Sequence, residues 1–455
     1  MRETTRERLV QGQAQRKHLR RAEHAAWDQD LRREDPLKLL AASMRGRVSA
    51  LVRIKYDRMA CSPFGFFRGA VPIMASDLAL APHTGIFTQL CGDAHVRNLG
   101  AFAAPDGRLV FDINDFDETI RGPFEWDVKR MAASLVLAGR EAGAKHAICH
   151  AAALRFLGSY RRAMFNFARM PVLELARYTV HRLNTVRPVA QIFAVAERAT
   201  PLHSLDSLTE PVRPAGPRGR NSSADSRTAS TSLTPPAGGT RIFRTHPPDL
   251  TRIHGRLARS VLDSLETYAE TLQPERRHFL AQYTPVDVAF KLVGTGSVGL
   301  RDYCVYLEGI GPLDPLFLQI KEEPHSAYAP YLDDKDVPPH QGRRVAEGQR
   351  AMQLQSDPFL GWTTIEGRDY LVRQLNDHKG SVQLGSLKPA ALVEYAAVCG
   401  ETLARGHARA GDPCRIAGYI GASGRFDAAV ARFAVAYANQ TERDWKTLVR
   451  SRRAL

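Results

Sequence analysis

What this sequence lacks already narrows its chemistry. Its six cysteines (Cys61, Cys91, Cys149, Cys304, Cys399 and Cys414) never form a C-x-x-C pair, which fits neither a zinc site nor a disulfide scaffold and suits a reducing cytoplasm. No apolar run approaches the roughly eighteen residues of a membrane span, and Met1 to Trp27 is polar and basic, so neither a span nor an export signal is expected. No G-x-S-x-G segment occurs, so a hydrolase nucleophile has no support, and His407 with Asp412 is set aside as a dyad. No repeat of fixed period is present. Acids are short, 48 against 63 lysines and arginines, for a net charge of +15. That excess favours anionic partners. A basic nucleic-acid-binding protein stays open as an alternative, although no nucleic-acid module accompanies the charge.

With 455 residues, 44% hydrophobic, the chain can bury one large core or two moderate ones. One stretch differs in composition: Asp206 to Pro248 is rich in Pro, Gly, Ser, Thr and Arg and reads as a flexible linker or insertion. The expected division is residues 1–205, a mostly helical part with one embedded strand pair, GIFTQLCGD and RLVFDIND; the linker 206–248; residues 249–385, a strand-rich small lobe; and residues 386–455, helices completing the large lobe. Apolar residues at three- and four-residue spacing predict helices in DPLKLLAASMRGRVSALVRIKY, in WDVKRMAASLVLAGREAGAKHAICHAAALRFLGSYRRAMFNFA and from Arg252 to Leu272. VDVAFKLVG, LRDYCVYLEG and PLFLQIK predict three strands.

The strongest chemical signal is C-G-D-A-H-V-R-N, Cys91 to Asn98, followed by F-D-I-N-D-F-D-E. Phosphoryl transfer needs a carboxylate to orient an attacking hydroxyl and oxygen ligands for magnesium. Asp93 and Asn98 have the D-x-x-x-x-N spacing of a kinase catalytic loop, Asp as base and Asn as metal ligand. Asp115 would supply the second metal ligand, with Asp112 as its rival. A plain turn and a capped strand end are the bland alternative.

The second signal is V-G-T-G-S-V-G-L, with Gly294, Gly296, Ser297 and Gly299 in a G-x-G-x-x-G register. The residues after the glycines are strand-like rather than helical, which suits a kinase glycine loop better than a dinucleotide fold. The next strand ends in Lys321, the expected phosphate contact, and Glu347 on the following helix is its expected partner. Tyr370 to Asp377 would lead into a hinge that meets adenine. In this chain the catalytic-loop segment precedes the glycine loop, the reverse of the ordinary kinase order, so a circular permutation is expected, made plausible by termini that often lie close together.

The run Asp115 to Asp127, D-F-D-E-T-I-R-G-P-F-E-W-D, resembles the corresponding run of aminoglycoside- and choline-kinase-like enzymes, in which Asp127 would begin a helix and brace the catalytic loop. RMACSPFGFFRGA, QLCGDAHVRNLG, VFDINDFDETIRGPFEWDVKR, VGTGSVGLRDY, FLQIKE, EGQRAMQ and LARGHARAGD resemble a bacterial family catalogued as domain of unknown function 2252 (DUF2252), with Val96 and Leu99 as small departures. The resemblance implies a kinase-like fold and leaves the substrate unnamed. Arg68 could contact a phosphate or pair with an acid such as Asp77, and His95 would organise the loop. The expectation is an α+β, two-lobed, ATP- and Mg2+-dependent phosphotransferase acting on an unknown hydroxyl acceptor, small molecule or protein, with nucleotidyl transfer also open. A non-catalytic ATP-binding regulatory protein is the alternative.

Overall fold

The computed structural model describes residues 3–180, 186–212, 241–333, 337–375, 379–383, 385 and 387–453. The chain is α+β, with antiparallel strands throughout. In chain order the strands are β1 (Phe87–Leu90), β2 (Leu99–Ala103), β3 (Leu109–Ile113), β4 (Ile120–Pro123), β5 (Thr209–Pro211), β6 (Arg241–Phe243), β7 (Leu250–Arg252), β8 (Thr284–Lys291), β9 (Asp302–Glu308), β10 (Pro315–Glu322), β11 (Gly361–Ile365), β12 (Arg368–Gln374) and β13 (Gly380–Ser381).

The main sheet has the order β11-β12-β10-β9-β8-β7. Every residue of β9 and β10 is buried, because both faces of the sheet are covered. Val305, Leu307, Leu318 and Ile320 pack with Val261 and Tyr268 of the helix Gly255–Glu270, while Cys304, Tyr306 and Phe317 pack with Leu205 and Phe243. Strands buried on both sides lose polar–apolar alternation and read as continuous apolar runs, the pattern that marks PLFLQIK in the sequence.

A larger core draws on both ends of the chain, from Phe64 to Ala438. At its centre the helix Phe124–Glu141 buries nearly its whole length. Around it lie the helices His146–Phe167, Pro389–Ala410 and Arg425–Arg453. The long amphipathic stretches of the sequence are each broken once by a glycine at positive φ: Gly46 (φ 77°) separates Pro36–Ala42 from Ser49–Ala60, and Gly143 (φ 72°) separates the Phe124 and His146 helices.

Two expectations differ from the structure. GIFTQLCGD and RLVFDIND both form strands but not a pair: β1 joins β4, and β3 joins β2, because tight connections bring β4 back beside β1 and β3 beside β2. The stretch 206–248 has regular structure at both ends, where β5 pairs with β6 and Phe243 is buried; residues 213–240 lie outside the described residues. Among the described residues no helix is long and apolar enough to cross a membrane.

The helix Pro389–Ala410 is pinned to β3 by an ion pair between Arg405 and Asp112, both about 2% exposed at the side chain. Asp112 also accepts from the amides of Ile113 (2.8 Å) and Leu354 (3.1 Å). Removing one partner of a buried pair strands the other charge. Arg405→Met is therefore expected to lower unfolding free energy by roughly 3–5 kcal/mol, and adding Asp112→Asn should recover part of that loss, as read from denaturant midpoints; equal stability of the single variant and wild type would contradict it.

Candidate functional site

The turn after β1 presents Asp93. Gly92 adopts φ 81°, and a Cβ there would lie 2.2 Å from the carbonyl oxygen of Glu118, so the turn tolerates no side chain. The carboxylate of Asp127, at the start of the Phe124 helix, accepts from the amides of Cys91 (2.8 Å) and Gly92 (3.1 Å). His407 holds the same carboxylate at 3.2 Å and is itself held by the Tyr160 hydroxyl at 2.8 Å. Tyr328 donates to the Gly92 carbonyl at 2.8 Å. Three helices and the segment after β10 thus converge on one turn.

Asp93 itself is bonded through Oδ1 to the fully buried Arg130, with Nε at 2.9 Å and Nη2 at 2.5 Å. Arg130 lies over the Phe67 ring at 4.2 Å. The other oxygen, Oδ2, is 3.5 Å from Nε2 of His95, and Arg68 Nε donates to that ring nitrogen at 3.2 Å. Burial, which Asp93 opposes and Arg68 and Arg130 reinforce, pushes the His95 imidazole down to about 3, so the ring is neutral. Arg68 does not meet Asp77, which pairs with Arg32 instead. Asn98 donates from Nδ2 to the carbonyls of Asp93 and Asp115, both at 2.9 Å, while its buried Oδ1 has no hydrogen-bond partner among the described residues.

Asp115 and Asp117 meet Lys321, which projects from the end of β10 and is 3% exposed at the side chain. Its Nζ lies 3.8 Å from Asp115 Oδ1 and forms a close ion pair with Asp117. Lost hydration favours neutral carboxyls, but Lys321 and a hydrogen bond from Asp117 outweigh it at Asp115 and hold that group well below the usual carboxylate range. Burial and the neighbouring Asp115 push Asp117 up. Asp112, the alternative ligand, is taken up by Arg405.

The glycine loop closes over these groups. Ser297 Oγ donates to Asp117 Oδ2 at 3.1 Å. Gly294 has φ 67° and Gly299 φ 90°, values that favour glycine. From the helix Ser49–Ala60 and the turn before it, Lys55 donates to the Gly296 carbonyl at 2.5 Å, Arg58 to the Gly294 carbonyl, and Arg47 to the Val298 carbonyl at 2.7 Å. A cavity of about 470 Å³ results, lined by Asp93, His95, Asp115, Asp117, Gly294, Gly296 and Ser297, among others.

Glu347 does not pair with Lys321. It is bonded to Arg343 at 2.7 Å on the exposed side of the helix Gln341–Met352. The inward face of that helix carries Arg344 instead, bonded to the carbonyls of Asp117 (2.9 Å), Thr119 and Pro324 (2.9 Å). Lys321 needs no glutamate there, because Asp115 and Asp117 already supply its counter-charge. Asp412 caps the helix Pro413–Ile420. Tyr370 lies in β12, and Asp377 lies outside the described residues. Sequence reasoning missed Arg130, Asp117 as the lysine's partner, Arg344, and the Arg47–Lys55–Arg58 set. Asp117 had a signal, the acidic run after β3; the cations read as ordinary polar faces of helices.

These features define an α+β protein with a carboxylate-rich cleft between a glycine loop and a buttressed turn. The sequence profile of a family described as an uncharacterized protein conserved in bacteria (DUF2252) matches residues 47–451, and the chain belongs to that family. No curated protein and no solved structure matches it.

Asp302 sits opposite Lys321 in the β9–β10 register, accepts from Gln319 at 2.6 Å, and is pushed by burial from 3.8 up to about 7 despite Lys321. The folded chain then keeps a proton that the unfolded chain loses between about pH 4 and 7, so this group makes stability fall as pH rises through that window. Asp302→Asn removes the effect. Urea midpoints should favour the variant over wild type more at pH 8 than at pH 5; an identical difference at both pH values would contradict the assignment.

Proposed function

We propose that this protein is an ATP- and magnesium-dependent phosphotransferase of kinase-like build, its two lobes written in permuted order, acting on a hydroxyl acceptor. The observation that carries the reading is the meeting of Asp93, Asp115, Asp117 and the glycine loop in one cavity, where Ser297 and Asp117 touch across 180 sequence positions. The succession of β8, glycine loop, β9, lysine-bearing β10, helix and β11–β12 hairpin is the order of parts a kinase nucleotide lobe uses. The helix Pro389–Ala410, which in the ordinary order would lead into the catalytic loop, lies against β1, with Thr88 Oγ1 donating to the His407 carbonyl at 3.0 Å; this supports the permutation.

In this reading Asp93 Oδ2 orients the acceptor hydroxyl and takes its proton. Arg130 fixes that carboxylate in place and matches its charge. Lys321 turns from Asp117 to the phosphates, whose approach the loop amides from Gly294 to Gly299 favour. Asn98 fits a magnesium ligand, since its buried Oδ1 lacks a partner among the described residues and Nδ2 fixes the amide's orientation. Asp115, whose carboxyl Lys321 holds low, would be the second ligand. Among the described residues no cluster of three or more His, Cys, Asp or Glu is arranged for a metal, which suits an ion that fills its shell with water and phosphate oxygens. Bound magnesium would neutralise charge on the phosphates.

One observation favours a second reading, a nucleotide-binding regulatory protein without turnover: the Arg130 pair withdraws one oxygen of Asp93 from any acceptor.

Magnesium-dependent ATP consumption, with products identified by mass spectrometry and cell extract as acceptor, separates the two. Asp93→Asn should keep ATP binding and lose about 100-fold or more of the turnover, whereas Lys321→Met should weaken ATP binding itself. Binding without any Asp93-dependent turnover would leave the regulatory reading. Absence of ATP binding to the wild type would sink both.

A further inference from the structure

Three buried or half-buried cations that line the cavity form no ion pair among the described residues. Asp115 and Asp117 are committed to Lys321, Asp93 to Arg130, and Glu118 accepts the Ala327 amide at 2.6 Å. Besides the exposed Arg45, three further cations line the same space. Lys55 Nζ is bonded to the Gly296 carbonyl, although the residue is only 2% exposed. Arg47 donates to the carbonyls of Ser43 and Val298, and Arg68 to the neutral His95 ring. None of the three has a carboxylate partner among the described residues. Burial pushes all three below their ordinary values, and the carboxylates around the cavity, Glu118 and Asp117 for Arg47 and Lys55 and Asp93 for Arg68, offset it only in part. A buried cation in that state is stabilised by an anion.

Their position says whose anion it is. Lys321 reaches the cleft from the sheet, while Lys55 and Arg68 come from two helices and Arg47 from the turn before the first of them. Arg68 is linked to Asp93 through His95, at 3.2 and 3.5 Å. Leu39, Ala42, Val71 and Pro72 line the same cavity and give a short carbon skeleton an apolar wall.

On the phosphotransferase reading above, we infer that the acceptor is a small hydroxyl compound bearing an anionic group, phosphate or carboxylate, held by Lys55, Arg68 and Arg47 while its hydroxyl meets Asp93. The acceptor oxygen bonds to the γ-phosphorus of ATP as the bond from that phosphorus to the β,γ-bridging oxygen breaks. ADP leaves with that electron pair, and the hydroxyl proton passes to Asp93 Oδ2 and on to solvent.

Calorimetric titration with glycerol, glycerate and glycerol 3-phosphate, which share one skeleton, tests this at saturating Mg-ADP. Wild type should bind at least one anion about tenfold or more tighter than glycerol, and the stronger of the two names the anionic group. Lys55→Gln keeps a donor for the Gly296 carbonyl while losing the charge, and should reduce the preference about tenfold. Arg68→Gln makes the same test should that variant fail to fold. A wild type without anion preference overturns the inference, as does a preference untouched by both substitutions. So does a preference that appears only without Mg-ADP, since the cations would then serve the nucleotide. Mg-ADP binding, titrated alone, reports on the nucleotide reading separately: its absence beside an intact anion preference sinks the phosphotransfer reading and leaves an anion site.

Discussion

The buried carboxylate of Asp127 is the interaction on which the site depends. It joins the Phe124 helix to the Cys91–Gly92 turn and, through His407 and Tyr160, to two more helices. A carboxylate that accepts from two backbone amides is held in place in a dry interior because hydrogen bonds replace its water. The result is a turn whose backbone cannot shift without disturbing the whole helical core. Asp93 inherits that rigidity and is aimed by it. Arg130, one turn of helix beyond Asp127, then sets its side chain.

The second organising contact is the sharing of Lys321 between Asp115 and Asp117. One ammonium between two carboxylates ties the sheet to the loop after β3. Arg344 and the segment from Pro324 to Tyr328 reinforce the joint through backbone carbonyls and the Glu118 side chain. The cleft is therefore bounded by ion-paired groups on the sheet side and, on the Lys55–Arg68 side, by cations that form no ion pair among the described residues. That asymmetry is electrostatic rather than steric, and it makes the two ends of one cavity chemically different.

Much of this is legible in the sequence. The strands of the main sheet follow their apolar runs because β-branched and aromatic residues suit a surface covered on both faces, and their glycine-rich connections stand where sequence expects them. Asp93, Asn98 and Asp115 come together as their spacing implies, since short turns leave little freedom over so few residues. One expected partnership, Glu347 with Lys321, and one alternative, Arg68 with Asp77, fail for a common reason. Glu347 and Arg344 are neighbours on one helix, and only the rotation of that helix against β12 decides which faces the cleft. Arg68 and Asp77 are close in sequence, yet Arg32 reaches Asp77 first.

Local sequence determined the elements, the acidic run after β3, and the glycine positions at which backbone angle or close approach excludes a side chain, because these depend on residues a few positions apart. Tertiary structure decided which charges neutralise which. Asp112 went to Arg405 and Asp117 to Lys321, while Lys55 was left facing the Gly296 carbonyl. Ion pairing in an interior is set by distance and desolvation between segments far apart in the chain, and no periodicity in the sequence encodes it.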